Sequence, residues 1–309
     1  MNGPQAAWLA DGRRLHLNHG PIDLIVEAFG AAAEVEAAYG QAVARFRTIL
    51  AGLVDELPEL RRPAAARPRA FAGPTARRME AAVAPLAGFA FITPMAAVAG
   101  AVADEVLAAM LAGRRLERAY VNNGGDCALH LAPDMSITLA VAGTRHGFAD
   151  RIAIRAGDPV RGVATSGWRG RSFSLGIADA VTVLARTGAE ADAAATLIAN
   201  AVDLPGHAAV ERQPACELAP DTDLGPRLVT TGVGRLDAAE VDAALAGGLS
   251  VAGHFRRRGL IRAAALFLNG RSRVCGDLAL PGAASSAPQA LPCLHAISPE
   301  NTIEETTHA

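Results

Sequence analysis

Six short runs of apolar and β-branched residues follow one another closely between residues 116 and 185, and they restrict the fold more than any other feature. The runs occupy 116–122, 126–131, 136–142, 150–156, 160–164 and 173–185, with Gly, Asn, Asp and Pro between them. A parallel pair of strands needs a crossover of a dozen or more residues, so runs this close together pair antiparallel. The sequence therefore predicts a mostly antiparallel sheet in this part of the chain.

Helices are predicted on both sides of this block, because apolar residues recur there at helical spacing. The predicted helices occupy 31–57, 75–84, 93–111, 189–202 and 238–247, and further strands are predicted at 7–10, 13–18, 22–29, 88–92, 228–233, 261–268 and 271–280. Asn269-Gly270, between the last two strands, suits a type I′ hairpin turn. This arrangement predicts an α+β fold in which helices pack on a mostly antiparallel sheet.

The pattern is that of one domain over residues 1–280 of the 309. Within it, residues 58–74 are rich in Pro, Ala and Arg and are predicted to form an exposed linker. Residues 203–226 show no regular pattern and are predicted to be irregular. The Ala-, Ser- and Pro-rich residues 281–309 are predicted to be a disordered tail.

The chain contains no lysine, so all 29 of its basic residues are arginine. A mechanism that needs a lysine Schiff base, or the lysine of a P-loop, is therefore excluded. Phosphate recognition would depend instead on arginine side chains and backbone N–H groups. The formal charge of −2 argues against a general binder of nucleic acid or anionic membranes.

The cysteines and the hydropathy pattern indicate a cytoplasmic protein. Cys127, Cys216, Cys275 and Cys293 form no CxxC pair and no cluster with zinc spacing. Free thiols fit a reducing compartment. The first residues lack the basic and apolar regions of a signal peptide, and no run of about 18 apolar residues is free of charges or turn signals.

The first polar motif is Asn122-Asn123-Gly124-Gly125-Asp126, which follows a predicted strand. Two adjacent glycines let the backbone turn inward and present N–H groups to an anion. The Asp126 carboxylate suits a ribose hydroxyl or a metal-bound water. The alternative interpretation is an ordinary hairpin turn, because Asn and Gly-Gly favour positive φ angles.

The second motif is the loop 165–172, which reads TSGWRGRS. Its small residues allow close backbone approach, Arg169 and Arg171 suit phosphate groups, and Trp168 suits stacking on a flat ring. The alternative is a solvated hairpin tip with two surface arginines. Asp179, within the apolar run that follows, is predicted to pair with Arg171 or with a backbone turn, because a lone carboxylate there is costly.

The third motif is Asp192 with Thr196, one turn apart on a predicted helix. At this spacing both side-chain oxygens face the same way. A carboxylate and a hydroxyl are hard ligands of the kind that Mg²⁺ prefers. The alternative is that Asp192 only complements the positive N-terminus of its helix.

Together the segments VNNGGD, ATSG and ADAAAT, in this order, resemble the ApbE family, the FAD:protein FMN transferases. The resemblance covers roughly residues 90–205. The longer segments NNGGD, TSGWRGRSFSLGIADAVTVLA and ADAAATLIANAV are closer still to a cytoplasmic ApbE-related branch of bacterial and archaeal proteins.

The resemblance implies a T-fold-like architecture with a flavin nucleotide, FAD or FMN, bound between the sheet and its flanking loops. It implies that Asp192 and Thr196 are catalytic and hold Mg²⁺ together with a backbone carbonyl near Ala96. It also implies nucleotide contacts from the two loop motifs, at Asn123, Gly124, Gly125, Asp126, Thr165, Ser166, Gly167, Trp168, Arg169 and Arg171.

The sequence departs from the family pattern in two places. The lysine of the family's GG-x-A-KG segment is replaced, at Ala99, and the His-Ile-x-Asp-Pro hairpin is absent. Three hypotheses follow: an Mg²⁺-dependent transferase acting on a flavin nucleotide or a related pyrophosphate, a non-catalytic protein that binds a flavin- or nucleotide-like ligand, and a structural or partner-binding protein.

The expected partner is a small nucleotide-like molecule rather than nucleic acid or a membrane. The sequence leaves open whether the chain forms a homodimer and which protein would accept a transferred group.

Overall fold

A nine-stranded antiparallel sheet forms the centre of the computed structural model, which describes residues 3–140 and 151–276. The strand order is β1-β2-β3-β4-β5-β8-β9-β12-β13. These strands are Gln5–Trp8 (β1), Leu15–His19 (β2), Ile22–Gly30 (β3), Leu116–Asn123 (β4), Asp126–Leu131 (β5), Gly162–Ser166 (β8), Ala180–Ala185 (β9), Ala263–Leu268 (β12) and Arg271–Cys275 (β13).

Two smaller two-stranded sheets, seven α-helices and two 3₁₀ helices, Ala84–Leu86 and Pro94–Ala97, complete the described ranges. The small sheets pair β6 (Ser136–Ala140) with β7 (Arg151–Arg155), and β10 (Val210–Pro214) with β11 (Leu228–Val233). The helices are Ala32–Asp55 (α1), Leu57–Leu60 (α2), Pro74–Val83 (α3), Val98–Leu111 (α4), Gly188–Ala201 (α5), Ala215–Leu218 (α6) and Ala238–Arg257 (α7). The predicted α+β class with a mostly antiparallel sheet is confirmed.

The central strands of the large sheet are buried on both faces, as on β9 and β12, and this explains their apolar sequences. On β12, Leu266 and Leu268 pack with the helices, whereas Phe267 between them joins a second core with the β6–β7 hairpin. Neighbouring strand residues point to opposite faces, so a strand covered on both sides has no polar alternation. The helices and the hairpin therefore enclose the sheet from opposite sides.

Two turns have the geometry that their glycines predict. Asn269 and Gly270 both have positive φ angles, of 46° and 76°, as a type I′ turn requires. Gly124 and Gly125 join β4 to β5 with φ angles of 60° and 128°. The register Asn123↔Asp126 makes this a two-residue hairpin turn.

Several predicted elements were wrong. Residues 88–92 form a turn and an extended segment rather than a strand, and of residues 173–185 only 180–185 are a strand. The region 203–226 contains β10 and α6, and the last helix continues to Arg257. That helix contains two adjacent glycines, Gly247 and Gly248. A Cβ atom added to Gly248 would lie 2.3 Å from Val202 and 2.7 Å from Leu266, so glycine at this position allows the helix to pack closely.

The segment 58–74 is mostly exposed and is held at two buried side chains, Leu60 and Phe71. Arg69 within it is paired with the buried Glu80 of α3 at 2.8 Å. The division into one domain with this linker stays a prediction. The tail 281–309 lies outside the described residues, as does the end of the predicted strand 136–142.

One stretch of the described residues, Pro94–Leu111, is long and apolar enough to cross a membrane by length and composition alone. Half of it is buried within the fold. The core helix of a protein that spans no membrane has the same properties, so this is weak evidence for a span.

Helices α4 and α5 cap each other's N-termini. The Asp104 carboxylate of α4 accepts hydrogen bonds from the N–H groups of Gly188 and Ala189, at 2.8 and 2.9 Å. The Asp192 carboxylate of α5 accepts one from the N–H of Gly100, at 3.0 Å. First-turn N–H groups have no partner within their own helix, so each aspartate satisfies donors of the other helix.

This exchange requires the two backbones to be very close. A Cβ atom added to Gly100 would lie 2.1 Å from the carbonyl oxygen of Gly188. Contacts of residue 100 with residue 192, and of residue 104 with residue 188, show that the helices run in opposite directions where they touch.

Replacing Gly100 by alanine should lower the free energy of unfolding by at least about 1–3 kcal/mol, because the methyl group overlaps a backbone carbonyl. Gly40→Ala on α1 is the matched control, since nothing lies within 4 Å of its added Cβ atom. Alanine there should raise stability by about 0.5–1 kcal/mol through helix propensity. Urea unfolding of both variants tests this, and equal effects would contradict the close contact.

Candidate functional site

A cavity of about 390 Å³ opens between the N-terminus of α4, the β4–β5 turn, the loop after β8 and the first turns of α5. This volume is within the range of small-molecule sites. Its lining comes from five parts of the chain, namely Met95, Ala96, Val98 and Ala99; Asn123, Gly124 and Asp126; Thr165, Ser166, Gly167, Gly170, Arg171, Ser172 and Phe173; Asp192 with Thr196; and Thr222, Asp223 and Leu224. The three motifs singled out in the sequence therefore meet at one cavity.

The Gly124-Gly125 turn forms one wall. The side-chain oxygen of Asn122 accepts a hydrogen bond from the N–H of Gly125 at 2.9 Å, and the side-chain amide of Asn123 donates to the carbonyl of Ala99 at 3.1 Å. A Cβ atom on Gly124 would lie 1.6 Å from a terminal nitrogen of Arg171. The positive φ angle of Gly124 favours glycine in the turn, and the Arg171 guanidinium would have to move away from any side chain at this position.

The end of β8, which leads into the loop, is held to neighbouring strands at Thr165. Its N–H donates to the Asp126 carboxylate at 3.0 Å, and its hydroxyl is 2.8 Å from the hydroxyl of Thr182. Gly167 passes close to the backbone of residue 179, where an added Cβ atom would be 2.5 Å from a carbonyl oxygen. Ser166 and Gly167 therefore line the cavity on a rigid backbone.

Two carboxyl groups in this cavity, those of Asp126 and Asp192, are close enough for their charges to interact. Burial raises the pKa of Asp126 to about 7, although the N–H of Thr165 and the charge of Arg171 act in the opposite direction. Burial, and then the charge of Asp126, raise the pKa of Asp192 well above its usual value, against the N–H groups of Gly100 and Ala99. The protein thus keeps two acidic groups close together at a cost in stability.

When its carboxyl groups are ionised, the cavity carries more negative than positive charge. Of the described residues that line it, Asp126, Asp192 and Asp223 are acidic and Arg171 is basic, so the formal charge is −2 when all four are ionised. A phosphate group entering this cavity would be repelled unless a cation accompanied it.

The oxygen ligands present fit a divalent cation. Among the described residues no group of three or more His, Cys, Asp and Glu side chains is arranged around one point. The set here is different, with two carboxylates, the Thr196 hydroxyl and the backbone near Ala96, all lining the cavity. The N–H of Gly100, which a continuous helix would direct to the Ala96 carbonyl, donates to Asp192 instead. Hard oxygen donors of this kind suit Mg²⁺.

Three of the expected ligand contacts, Gly125, Trp168 and Arg169, do not line the cavity. Arg169 is 63% exposed and forms an ion pair with Asp179 at 2.7 Å, with its guanidinium 4.6 Å from the ring centroid of Trp168. The indole nitrogen of Trp168 is buried and has no hydrogen-bond partner among the described residues. Asp179 thus pairs with Arg169 rather than Arg171, and it also accepts a hydrogen bond from the N–H of Asn269 at 2.6 Å.

The structure adds a wall that the sequence did not reveal. Thr222, Asp223 and Leu224 line the cavity, and Asp223 accepts a hydrogen bond from the hydroxyl of Thr93. They come from the region predicted to be irregular, where no periodicity marks any residue. Phe173, which is 38% exposed, supplies an aromatic side chain to the lining.

Comparison with known proteins identifies the family. A family model described as "AbpE bacteria" matches residues 6–274. The chain therefore belongs to this ApbE-like family, and the resemblance of its motifs is confirmed.

Similar curated proteins are archaeal. A UPF0280 protein of Methanopyrus kandleri is 42% identical over 134 residues, which are 42% of this chain and 51% of that protein. A UPF0280 protein of Methanothermobacter thermautotrophicus is 36% identical over 115 residues, 37% of this chain and 44% of that protein. The chain thus spans about half the length of the curated relatives it matches.

Among solved structures, the chain is similar to the apo form of the flavinyl transferase ApbE of Pseudomonas stutzeri. The identity is 12% and the TM-score is 0.40, over 88% of this chain and 93% of that one. A TM-score this low supports no conclusion about either fold or function.

Replacing either buried carboxylate should stabilise the metal-free protein. Asp126→Asn or Asp192→Asn removes a desolvated charge and keeps an oxygen for the backbone donor. At pH 8 in the presence of a chelator, each should raise the unfolding temperature, by about 2–4 °C for every kcal/mol added to the free energy of unfolding. Asp221→Asn, at an exposed residue of the 219–226 loop, is the control and should change it little.

The same variants have an expected pH dependence. The pKa of Asp126, about 7 in the folded protein, exceeds its value in the unfolded chain, so the folded state binds the proton more tightly. The wild-type protein should therefore be more stable at pH 6 than at pH 8, and the difference should shrink in Asp126→Asn. A wild-type stability that rises from pH 6 to pH 8 would contradict this assignment.

Proposed function

We propose that this chain is an Mg²⁺-dependent ApbE-like protein of the cytoplasm that acts on FAD or a related pyrophosphate, in a nucleotidyl-type transfer resembling FMN transfer. The observation that carries the proposal is the cavity that Asp126, Asp192, Thr196, Arg171 and Gly124 line together. Family membership and the order of the motifs support it.

The residues have distinct roles in this proposal. Asp192, Thr196 and the carbonyl of Ala96 would hold the metal, and Asp126 would hold a metal-bound water or a ribose hydroxyl. A bound Mg²⁺ would offset the negative charge of the cavity and polarise the phosphate oxygens. Arg171 would bind a phosphate oxygen from the side of the glycine turn. Phe173 offers an aromatic wall for a flat ring.

In the transfer itself, an acceptor hydroxyl would attack the phosphorus of the FMN half of FAD. The bond to the bridging oxygen would break, AMP would leave, and the hydroxyl proton would be released to solvent. Rigid placement of Thr165 and Gly167 on the sheet favours this reaction, because a preorganised site needs little rearrangement.

A second candidate function is binding without catalysis. The observation that favours it is the replacement of the family's lysine, at Ala99, in a chain that has no lysine elsewhere. In that case the same cavity would hold a flavin- or nucleotide-like ligand and return it unchanged.

Titration of the protein with FAD and FMN, with and without Mg²⁺, separates the two functions. Flavin fluorescence reports binding, and chromatography of the nucleotide afterwards reports release of AMP or FMN. Mg²⁺-dependent binding with product supports the transferase, and binding without product supports the alternative. No binding of either flavin would exclude a flavin as the ligand in both functions and would direct the search to other phosphorylated heterocycles.

Asp192→Asn should reduce Mg²⁺-dependent product formation by at least about a hundredfold, because a neutral amide is a weaker ligand of Mg²⁺ than a carboxylate. The measurement is AMP release at saturating FAD. The variant should unfold at a higher temperature than the wild type in chelator, so a loss of product is not a loss of fold. Unchanged turnover would sink the assignment of Asp192 as a metal ligand.

Arg171→Ala should weaken FAD binding about tenfold, or 1.4 kcal/mol, through loss of a charged hydrogen bond to phosphate. Arg169→Ala is the matched control from the same loop, and should change the dissociation constant less than twofold because its guanidinium pairs with Asp179 outside the cavity. The reverse order of effects would mean that the loop rearranges when the nucleotide binds.

A further inference from the structure

A second cavity, of about 450 Å³, lies at the opposite end of β8 from the proposed nucleotide site. β8 begins shortly after Pro159, which lines this cavity, whereas Thr165 and Ser166 at its other end line the nucleotide site. Among the described residues the two cavities share no lining residue. The lining of this arginine cavity includes Pro159, Arg186, Arg256, Arg257, Leu260 and Arg262.

The topology of the sheet brings these arginines together from distant parts of the chain. β9 pairs antiparallel with β8 on one side and with β12 on the other. Arg186 directly follows β9 and Arg262 directly precedes β12, so antiparallel pairing places both residues at the same edge of the sheet. The last turn of α7 adds Arg256 and Arg257 at this edge.

Basic residues at the end of a helix often only offset its negative C-terminus. The carbonyl groups at the end of α7 already have other donors. The N–H groups of residues 258–260 donate to carbonyls of the last turn at distances of 2.9–3.2 Å. Gly259 has a φ angle of 70°, as helix ends of this kind favour. The guanidinium groups of Arg256 and Arg257 are therefore not needed to satisfy these carbonyls.

The positive charge at the arginine cavity is only partly neutralised. Arg186 forms an ion pair with Glu190 of α5 at 2.8 Å. Arg256 and Arg257 are exposed, and neither takes part in an ion pair with another described residue. None of the described residues that line the cavity is acidic. The four arginines together with Glu190 carry a formal charge of +3, and like charges this close repel one another unless an anion joins them.

We propose that the arginine cavity binds the diphosphate group of a small molecule. Arg256 and Arg257 donate hydrogen bonds to its oxygens, and Arg186 and Arg262 add positive charge around it. Guanidinium groups suit phosphate because they can donate two parallel hydrogen bonds. A terminal diphosphate carries about three negative charges near neutral pH, which matches the charge of the cavity, whereas a single phosphate leaves part of that charge uncompensated.

The diphosphate has two possible sources, free pyrophosphate and a nucleoside diphosphate. In the second case the nucleoside would contact the apolar side chains of Pro159 and Leu260, which also line the cavity. The site is independent of the proposed nucleotide function, because it shares none of that cavity's described lining residues and requires no metal.

Titration calorimetry of the full chain with sodium pyrophosphate tests the proposal. The buffer is freed of divalent cations with a chelating resin, because a dissolved chelator is itself a polyanion. Without a cation, the negative charge of the nucleotide cavity disfavours phosphate there. We expect saturable binding of pyrophosphate, and at least about tenfold weaker binding of inorganic phosphate at the same ionic strength. ADP separates the sources: tighter binding than pyrophosphate indicates a nucleoside diphosphate, and equal or weaker binding indicates free pyrophosphate.

Two double variants of equal charge make the test specific. Arg256→Ala with Arg257→Ala should weaken pyrophosphate binding at least about tenfold, through loss of charged hydrogen bonds. Arg235→Ala with Arg258→Ala removes two exposed arginines that do not line the cavity, and should change binding less than twofold. All four residues are exposed, so both double variants should keep the unfolding temperature of the wild type within a few degrees.

Three results would overturn the proposal. These are the absence of saturable binding of both pyrophosphate and ADP, binding of inorganic phosphate as tight as that of pyrophosphate, and equal losses in the two double variants. Arg256 and Arg257 would then be solvated charges at a helix end. Because the assay uses neither flavin nor Mg²⁺, such a result leaves the proposed nucleotide function unaffected.

Discussion

The exchange of caps between α4 and α5 is the interaction on which the rest of the structure depends. Without Asp104 and Asp192, the N–H groups of Gly188, Ala189 and Gly100 in the first turns of the two helices would lack these partners. The close approach that Gly100 and Gly188 allow brings the two helix starts together. The β4–β5 turn is then tied to α4 through Asn123 and the Ala99 carbonyl. Structure and candidate site are thus built from the same contacts.

The side chain of Asp192 therefore takes part in two interactions. One oxygen satisfies the start of α4, and the carboxylate also faces a cavity that holds another acidic group. The alternative considered for Asp192 was that it only complements the positive N-terminus of its own helix. That explanation is incomplete, because the N-terminus that it caps belongs to α4. A structural role and a metal-binding role are therefore compatible, since a carboxylate has several lone pairs to share.

Local chemistry made parts of this fold predictable. The Asn269-Gly270 and Gly124-Gly125 turns follow from residues that tolerate positive φ, and Asp192 and Thr196 share a face because of helix periodicity. The closeness of Asp126 to Asp192 depends on how the sheet and α5 pack, which no local pattern encodes. The positions of Trp168 and Arg169 depend on a long-range partner, Asp179, and the wall at 222–224 comes from a region without periodicity. The strand predicted over residues 173–179 is wrong because an apolar segment that packs without pairing in a sheet has the same sequence pattern as a buried strand.

The excess negative charge of the cavity also links its ligands thermodynamically. If a phosphate-bearing molecule and a divalent cation both occupy it, each must increase the affinity of the other by the same factor, because the coupling free energy is shared. The affinity for either one measured alone then understates its affinity in the ternary complex. Such a cavity responds to the product of two concentrations rather than to one.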